Sequence, residues 1–315
     1  MLPDRIIIDE NNHGRRLDSL VRQFLPGISL GTIMKWLRRG TIRVNGHKQK
    51  PNTRLTIGDT ITLPTGVVNE ISLPSTSLPK PNIIFEDDDL LIIEKPTGLA
   101  VHSGTSHHQD SVMARVSLYL GATATKPGLK PGLVQRLDRD VSGLLVVGKN
   151  AAVLRILTNA VQNDTIDKHY QSLVYGNIAD DIGNINIPLQ RQINATARQP
   201  RMVASDAQNA MPTSTDYFVL CRYQTATLLN IRIHTGLQHQ IRAHMLAIGH
   251  PIVGDQRYKD NNQKNLIFDG QKLNRPFLHA AELSFSHPRT KQMLRFVSPL
   301  PTELKKILKF FKCPV

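Results

Sequence analysis

The segment Gln135-Arg136-Leu137-Asp138-Arg139-Asp140 sets one carboxylate, Asp138, between two arginines. It stands just ahead of a Ser142-Gly143 turn and the apolar run Leu144-Leu145-Val146-Val147. Opposite charge nearby favours the ionised form of a carboxyl group. An ionised carboxylate can serve as nucleophile, base or electrostatic stabiliser. A charged cluster at the mouth of a buried strand is therefore a candidate site. A structural ion-pair cluster that caps the strand is the alternative reading of the same residues.

The elements around this segment must hold it in place. Ile83-Ile84-Phe85 and Leu90-Leu91-Ile92-Ile93 are short apolar runs separated by the acidic turn Glu86–Asp89. Leu144–Val147, Tyr170–Tyr175 and Ala226–Ile233 read as further strands, and Ala151–Val161 and Gln238–Ile248 have helical spacing. Many short strands, a few helices and no regular β-α-β alternation predict an α+β fold with a mixed or antiparallel sheet. Gly143–Lys149 also fits G-x-x-x-x-G-K, but a phosphate-cradling loop needs Ser or Thr next, and position 150 is Asn. The four residues between the glycines are apolar and β-prone, which suits a buried strand.

The chain has 315 residues, 40% of them hydrophobic and 20% charged, enough for a sizeable core. Its net charge of +14 points to a polyanion as partner, nucleic acid first and an acidic membrane surface second. No apolar run approaches the roughly 20 residues of a transmembrane helix. The first residues lack the basic-then-apolar pattern of a secretory signal. Cys221 and Cys313 give neither a disulfide framework nor zinc spacing, so a cytoplasmic protein is expected. Twelve histidines include the pair His107-His108 and the denser set His234, His239, His244 and His250. His239 and His244 are five apart and would not share a helix face, so no metal site is expected.

Residues 1–64 carry 11 Lys/Arg against 5 Asp/Glu. Ser29 can cap a helix from Leu30. Leu30, Ile33, Met34 and Leu37 share one apolar face, Lys35, Arg38 and Arg39 lie opposite, and Gly40 ends it. Arg43-Val44 then enters an Asn45-Gly46 turn, and a second strand pair is expected from Arg54 to Leu63 around Gly58-Asp59. A basic helix beside a basic hairpin is either a solvated face or a phosphate-tracking module, and the charge density favours the module. The residues Arg16-Leu17-Asp18, Ser29-Leu30-Gly31-Thr32-Ile33, Leu37-Arg38-Arg39-Gly40, Ile42–Gly46 and Ile57-Gly58-Asp59 resemble the S4 RNA-binding domain. That resemblance implies structured RNA, not DNA, as the partner of Lys35, Arg38, Arg39 and Arg43. Residues 65–82 read as a linker.

Four further stretches line up, in order and spacing, with the RluA-type pseudouridine synthases, and within them with the ribosomal large-subunit synthase C group. They are Ile83–His102, Arg136–Leu145, Lys168–Gly176 and Thr235–His244 running on to Asp255, with Leu278-His279-Ala280 near the end. The resemblance implies a catalytic domain over 83–315 and an isomerase with no cofactor or metal, because the reaction adds and removes no atoms. It implies that Asp138 attacks the nucleoside or takes a proton from its ribose. It further implies that Tyr170 stacks on the uracil, that Arg242 pairs with the aspartate, and that Arg136 helps displace the base. Arg139 and His239 join the substrate contacts. Two positions depart from the family pattern: Gln135 stands where His is common, and Leu237-Gln238 replaces Arg-Thr before His239.

The function expected is conversion of uridines to pseudouridine in large-subunit ribosomal RNA by a monomer. The same chemistry on transfer RNA, a catalytically inactive ribosome-assembly factor and a membrane-surface protein are the alternatives.

Overall fold

The computed structural model describes residues 5–10, 12–25, 28, 30–64, 78–102, 110–121, 131–192, 201–259, 267–268 and 271–311. Ser29, residues 65–77 of the expected linker, His107, His108 and Cys313 lie outside them. The chain forms two compact units. One comprises residues 1–80 with 103–110 and 114–130, and the other comprises 81–102, 111–113 and 131–315.

The first unit holds β1 (Arg5–Ile7), α1 (Leu17–Phe24), α2 (Leu30–Arg39), β2 (Arg43–Val44) and β3 (Thr60–Thr62), with β3 central in a three-stranded sheet. Its core is Leu17, Leu20, Val21, Ile33, Leu37, Ile42, Leu55 and Ile61, all fully buried. The apolar stripe of α2 is narrower than its spacing predicts, because Leu30 at the first turn is 43% exposed. Asn45 and Gly46 both adopt positive φ, 51° and 77°, as a tight hairpin turn requires. The strand pair expected from Arg54 to Leu63 does not form. Only Thr60–Thr62 is a strand, and it pairs with β1 and β2, while Arg54 bridges back to Arg16. The Gly58-Asp59 turn bonds its amide to the Ile8 carbonyl, so long-range partners replace the local hairpin.

The elements that follow are β4 (Asn82–Glu86), β5 (Leu90–Lys95), α3 (Val112–Tyr119), β6 (Gly132–Leu133), β7 (Ser142–Gly148), α4 (Ala151–Gln162) and β8 (Asp167–Tyr175). Next come β9 (Ile182–Ile185), β10 (Leu189–Gln192), β11 (Arg201–Ala204), β12 (Thr215–Arg222), β13 (Ala226–Ile233) and α5 (Gln240–Ala247). The chain closes with β14 (Ile267–Phe268), β15 (Gln271–Lys272), β16 (Leu278–Ser286), β17 (Met293–Val297) and α6 (Thr302–Phe310). A ten-stranded sheet runs in the order β4-β5-β7-β16-β8-β13-β12-β9, with β17 on β16 and β6 on β7. Only the β7–β16 pair is parallel, so the sheet is mixed and the α+β class holds.

All seven residues of β7 are buried, which is why the run between Gly143 and Gly148 carries no polar side chain. Asn150, the residue that spoils the phosphate-loop pattern, caps α4 by accepting the Val153 amide at 3.0 Å. Gly143 has φ +119°, and a Cβ there would sit 2.2 Å from the Ala280 carbonyl oxygen. No other residue lets β7 approach β16 so closely where the chain leaves the Asp138 segment.

Candidate active site

Asp138 lies in the turn before β7, where its carbonyl accepts the Val141 amide at 3.1 Å. Its side chain is 18% exposed and meets α5. Arg242 Nη1 donates to Asp138 Oδ2 at 2.9 Å. The flanking arginines do not neutralise the carboxylate as their spacing suggests. Arg139 turns its Nε to the Gly98 carbonyl at 3.0 Å, and Arg136 is exposed to solvent. The counter-charge for Asp138 comes instead from 104 residues further along the chain.

Arg242 is held on its other edge by Asp255, with Nε to Oδ2 at 2.6 Å and Nη2 to Oδ1 at 2.8 Å. The Asp255 side chain is fully buried and also accepts the amides of Arg257 and Tyr258 at 2.9 Å. Burial alone would drive both groups neutral. The bidentate hydrogen bonds and mutual charge overcome it, so Asp255 titrates below the usual carboxylate range and Arg242 above its own. The Arg242 guanidinium also lies over the Tyr258 ring at 4.9 Å. One fixed cation thus presents its remaining edge to Asp138.

Tyr170 is central in the sheet, opposite Ile231 of β13 and Ala280 of β16, and 5% exposed. Burial raises its phenol, and the charge of Asp138 adds to that, so it stays protonated at neutral pH. His239 takes the N-cap position of α5 with φ 57°. Its Nε2 stands 3.6 Å from Asp138 Oδ2, and its Nδ1 is 3.0 Å from the Tyr258 hydroxyl. Burial pushes its imidazole down to about 4; the charge of Asp138 opposes this and Arg242 reinforces it.

A second buried basic side chain fixes the loop from below. Lys95, 1% exposed, donates to the carbonyls of Pro96, Leu99 and Arg139 at 2.8, 2.9 and 2.8 Å. Burial, then the nearby Arg275, pushes its amine down to about 7. Thr97 Oγ1 donates to the Asp140 carbonyl at 3.2 Å, and the Gly98 amide to that of Arg139 at 2.9 Å. On the other flank, Arg275 Nη2 and buried His279 Nδ1 each lie 2.9 Å from the Ser142 hydroxyl. Asp255, Tyr258, Lys95 and Arg275 escape sequence reasoning. Lys95 and Asp255 lie within stretches that carry the family resemblance, but nothing there gives them a role.

The other histidines of the dense set are structural. His244 is buried between the hydroxyls of Thr213 and Thr215, both at 2.9 Å. His234 sits between Asp164 and Asp216 at 2.5 and 2.7 Å, and His250 meets the Tyr175 carbonyl. Leu237, one of the departures from the family pattern, packs against Leu189, Met202, Ala243 and Tyr258. In the first unit Lys35, Arg38 and Arg39 are exposed on α2. Arg43, also exposed, gives two donors to the carbonyls of Gly40 and Gly46, and Arg38 one to Met34.

Residues 89–247 match the family described as RNA pseudouridylate synthase, and residues 15–61 match the S4 domain. The ribosomal large subunit pseudouridine synthase C of Vibrio cholerae serotype O1 is 35% identical over 317 residues, covering 96% of this chain and 95% of that protein. This chain belongs to the RNA pseudouridylate synthase family. A second relative, the RNA pseudouridine synthase YlyB of Bacillus subtilis (strain 168), is 33% identical and covers 96% of each chain. The solved structure of human RNA pseudouridylate synthase domain containing 4 shares the fold with a TM-score of 0.59 at 23% identity, over 72% of this chain and 92% of that one. The synthase is thus an RNA-modifying isomerase with an S4 domain at its N-terminal end. Among its described residues no helix is long and apolar enough to cross a membrane.

Proposed function

We propose that this synthase converts specific uridines of large-subunit ribosomal RNA to pseudouridine, with Asp138 as the catalytic carboxylate. The substrate follows from relatives named for large-subunit ribosomal RNA, two of them 35% and 34% identical to this chain along nearly its whole length. The observation that carries the role of Asp138 is its position on the remaining edge of a guanidinium already fixed by Asp255. Such a carboxylate is oriented and only partly solvated before substrate arrives.

A uridine stacked in RNA must be flipped out to reach it, at a cost of a few kcal/mol. Arg136, exposed at the mouth of the site, takes the vacated position or a neighbouring phosphate. Tyr170 offers its face to the uracil, and stacking of this kind contributes roughly 1–3 kcal/mol per base. The C1′–N1 bond breaks, the base turns while held, and C1′–C5 forms. C5 loses its proton and N1 gains one, so the atoms balance without a co-reactant. Arg242 keeps Asp138 aimed, and Arg139 and His239 line the approach. Lys35, Arg38, Arg39 and Arg43 track phosphates from the S4 domain. We assign residues 1–64 to RNA binding, 65–82 to a linker and 83–315 to catalysis, in a cytoplasmic monomer.

The test is a pseudouridine map of unmodified large-subunit ribosomal RNA treated with wild type or Asp138→Asn, without added metal or nucleotide. Product from wild type alone is expected. Product on transfer RNA only would move the substrate, and product from the Asn variant would remove Asp138 from the chemistry.

A further inference from the structure

Arg242 accounts for the orientation of Asp138, but it leaves unexplained why His239 is held as it is. His239 is one of four non-glycine residues with positive φ among those described. A left-handed backbone at such a residue costs of order 1 kcal/mol or more and persists where surrounding contacts demand it. Here it swings the ring between two partners, Tyr258 at Nδ1 and Asp138 at Nε2. The Tyr258 hydroxyl in turn accepts the Met202 amide of β11 at 2.8 Å. With that backbone N–H on the oxygen, the phenol proton is free to point at the Nδ1 lone pair. In that arrangement the imidazole proton sits on Nε2, the nitrogen that faces the carboxylate.

We propose that His239 is a positioning residue, locked by Tyr258 as the neutral Nε2–H tautomer, whose N–H joins Arg242 Nη1 on Oδ2 of Asp138 and reserves Oδ1 for the nucleoside. Arg242 and His239 both approach Oδ2 of Asp138, and among the described residues no hydrogen bond reaches Oδ1. The 3.6 Å separation is longer than a hydrogen bond, and such contacts in active sites often tighten only when substrate is bound. The charged groups around the ring are balanced in sign. Asp138 and Asp255 favour a second proton on it, while Arg242, Arg257 and burial oppose one. The ring is therefore a fixed donor at neutral pH and not an imidazolium acid. The chain Met202 N–H to Tyr258 to His239 also ties the β11 strand to the reacting carboxylate. The inference rests on Asp138 being the catalytic group.

The deciding measurement is the ¹⁵N spectrum of the full-length enzyme labelled at histidine, with the His239 signals assigned from their absence in His239→Gln. An unprotonated Nδ1 and a protonated Nε2 are expected, unchanged from pH 8 to 5.5. A ring protonated at Nδ1 in wild type overturns the proposal without any functional assay. Tyr258→Phe keeps the edge contact with His239 and the ring beneath Arg242 but removes the phenol proton. Its His239 should become a mixture of tautomers. Its kcat should fall about tenfold, the size of one net hydrogen bond, with KM for RNA moving less than about twofold. The same change in a His239→Gln background should add nothing further. A Tyr258→Phe enzyme with wild-type kcat and an unchanged His239 spectrum sinks the idea. Wild type that makes no pseudouridine on any RNA would instead defeat the assignment of function and leave the tautomer result standing.

Discussion

Two sets of basic side chains in this chain do opposite things. Arg242 and Lys95 are buried, and their hydrogen bonds go to carboxylates and carbonyls. On α2, Lys35, Arg38 and Arg39 are exposed, and among the described residues their only hydrogen bond runs from Arg38 to its own helix. The buried set has already lost its solvation and conformational freedom during folding, so it can fix a reacting carboxylate without reorganising. The exposed set keeps its hydration until it meets RNA, whose condensed counterions it then releases, so it supplies affinity and salt dependence but no geometry. Charge at a catalytic site and charge at a docking face are therefore distinguishable by what the donors are already doing.

Removing the support beneath Arg242 should break this contrast most visibly. Asp255→Asn leaves a buried guanidinium short of one counter-charge, which costs roughly 3–5 kcal/mol of stability and loosens Asp138. Thermal unfolding temperature and single-turnover rate should both fall. A variant with normal stability and rate would mean that the pair is dispensable. His239 provides a sharper probe through pH. Its folded pKa, about 4, lies below the unfolded value near 6.5, so the unfolded chain binds the proton first as pH falls. The stabilisation is complete above 6.5 and is lost between 6.5 and 4, amounting to ~3 kcal/mol at the acid end. His239→Gln should unfold with a flatter pH dependence over that window, and denaturant titrations at pH 7 and 4.5 would read the difference. The smallest effect belongs to the exposed set. Arg38→Ala with Arg39→Ala should weaken RNA binding and lower the salt slope by about one for each phosphate no longer neutralised, leaving single-turnover rate at saturating enzyme unchanged. An unchanged slope would remove α2 from the interface.

Much of the architecture was legible because it is written in local periodicity. The strands at Ile83, Leu90, Leu144, Tyr170 and Ala226 and the helix at Ala151 fall where the apolar patterns put them. Asn150 shows the same local logic, since one polar residue both spoils a phosphate loop and caps a helix. The strand pair expected after Arg54 failed for the opposite reason. Its alternation is real, but Thr60–Thr62 found better partners in β1 and β2 than in its own neighbours.

At the site, the sequence by itself determined that a carboxylate would stand at the entry to a buried strand, a property of adjacent residues and their polarity. It also carried the resemblance that pairs Arg242 with Asp138. That only glycine fits at 143 was decided by the approach of Ala280 from β16. Tertiary structure alone decided what surrounds that pair. Asp255 on the far edge of the guanidinium, Tyr258 behind His239 and Lys95 beneath Arg139 come from separate elements, and the nearest arginines in sequence turn away. Side-chain partners are chosen by distance in space, and burial removes the water that would otherwise make those choices interchangeable.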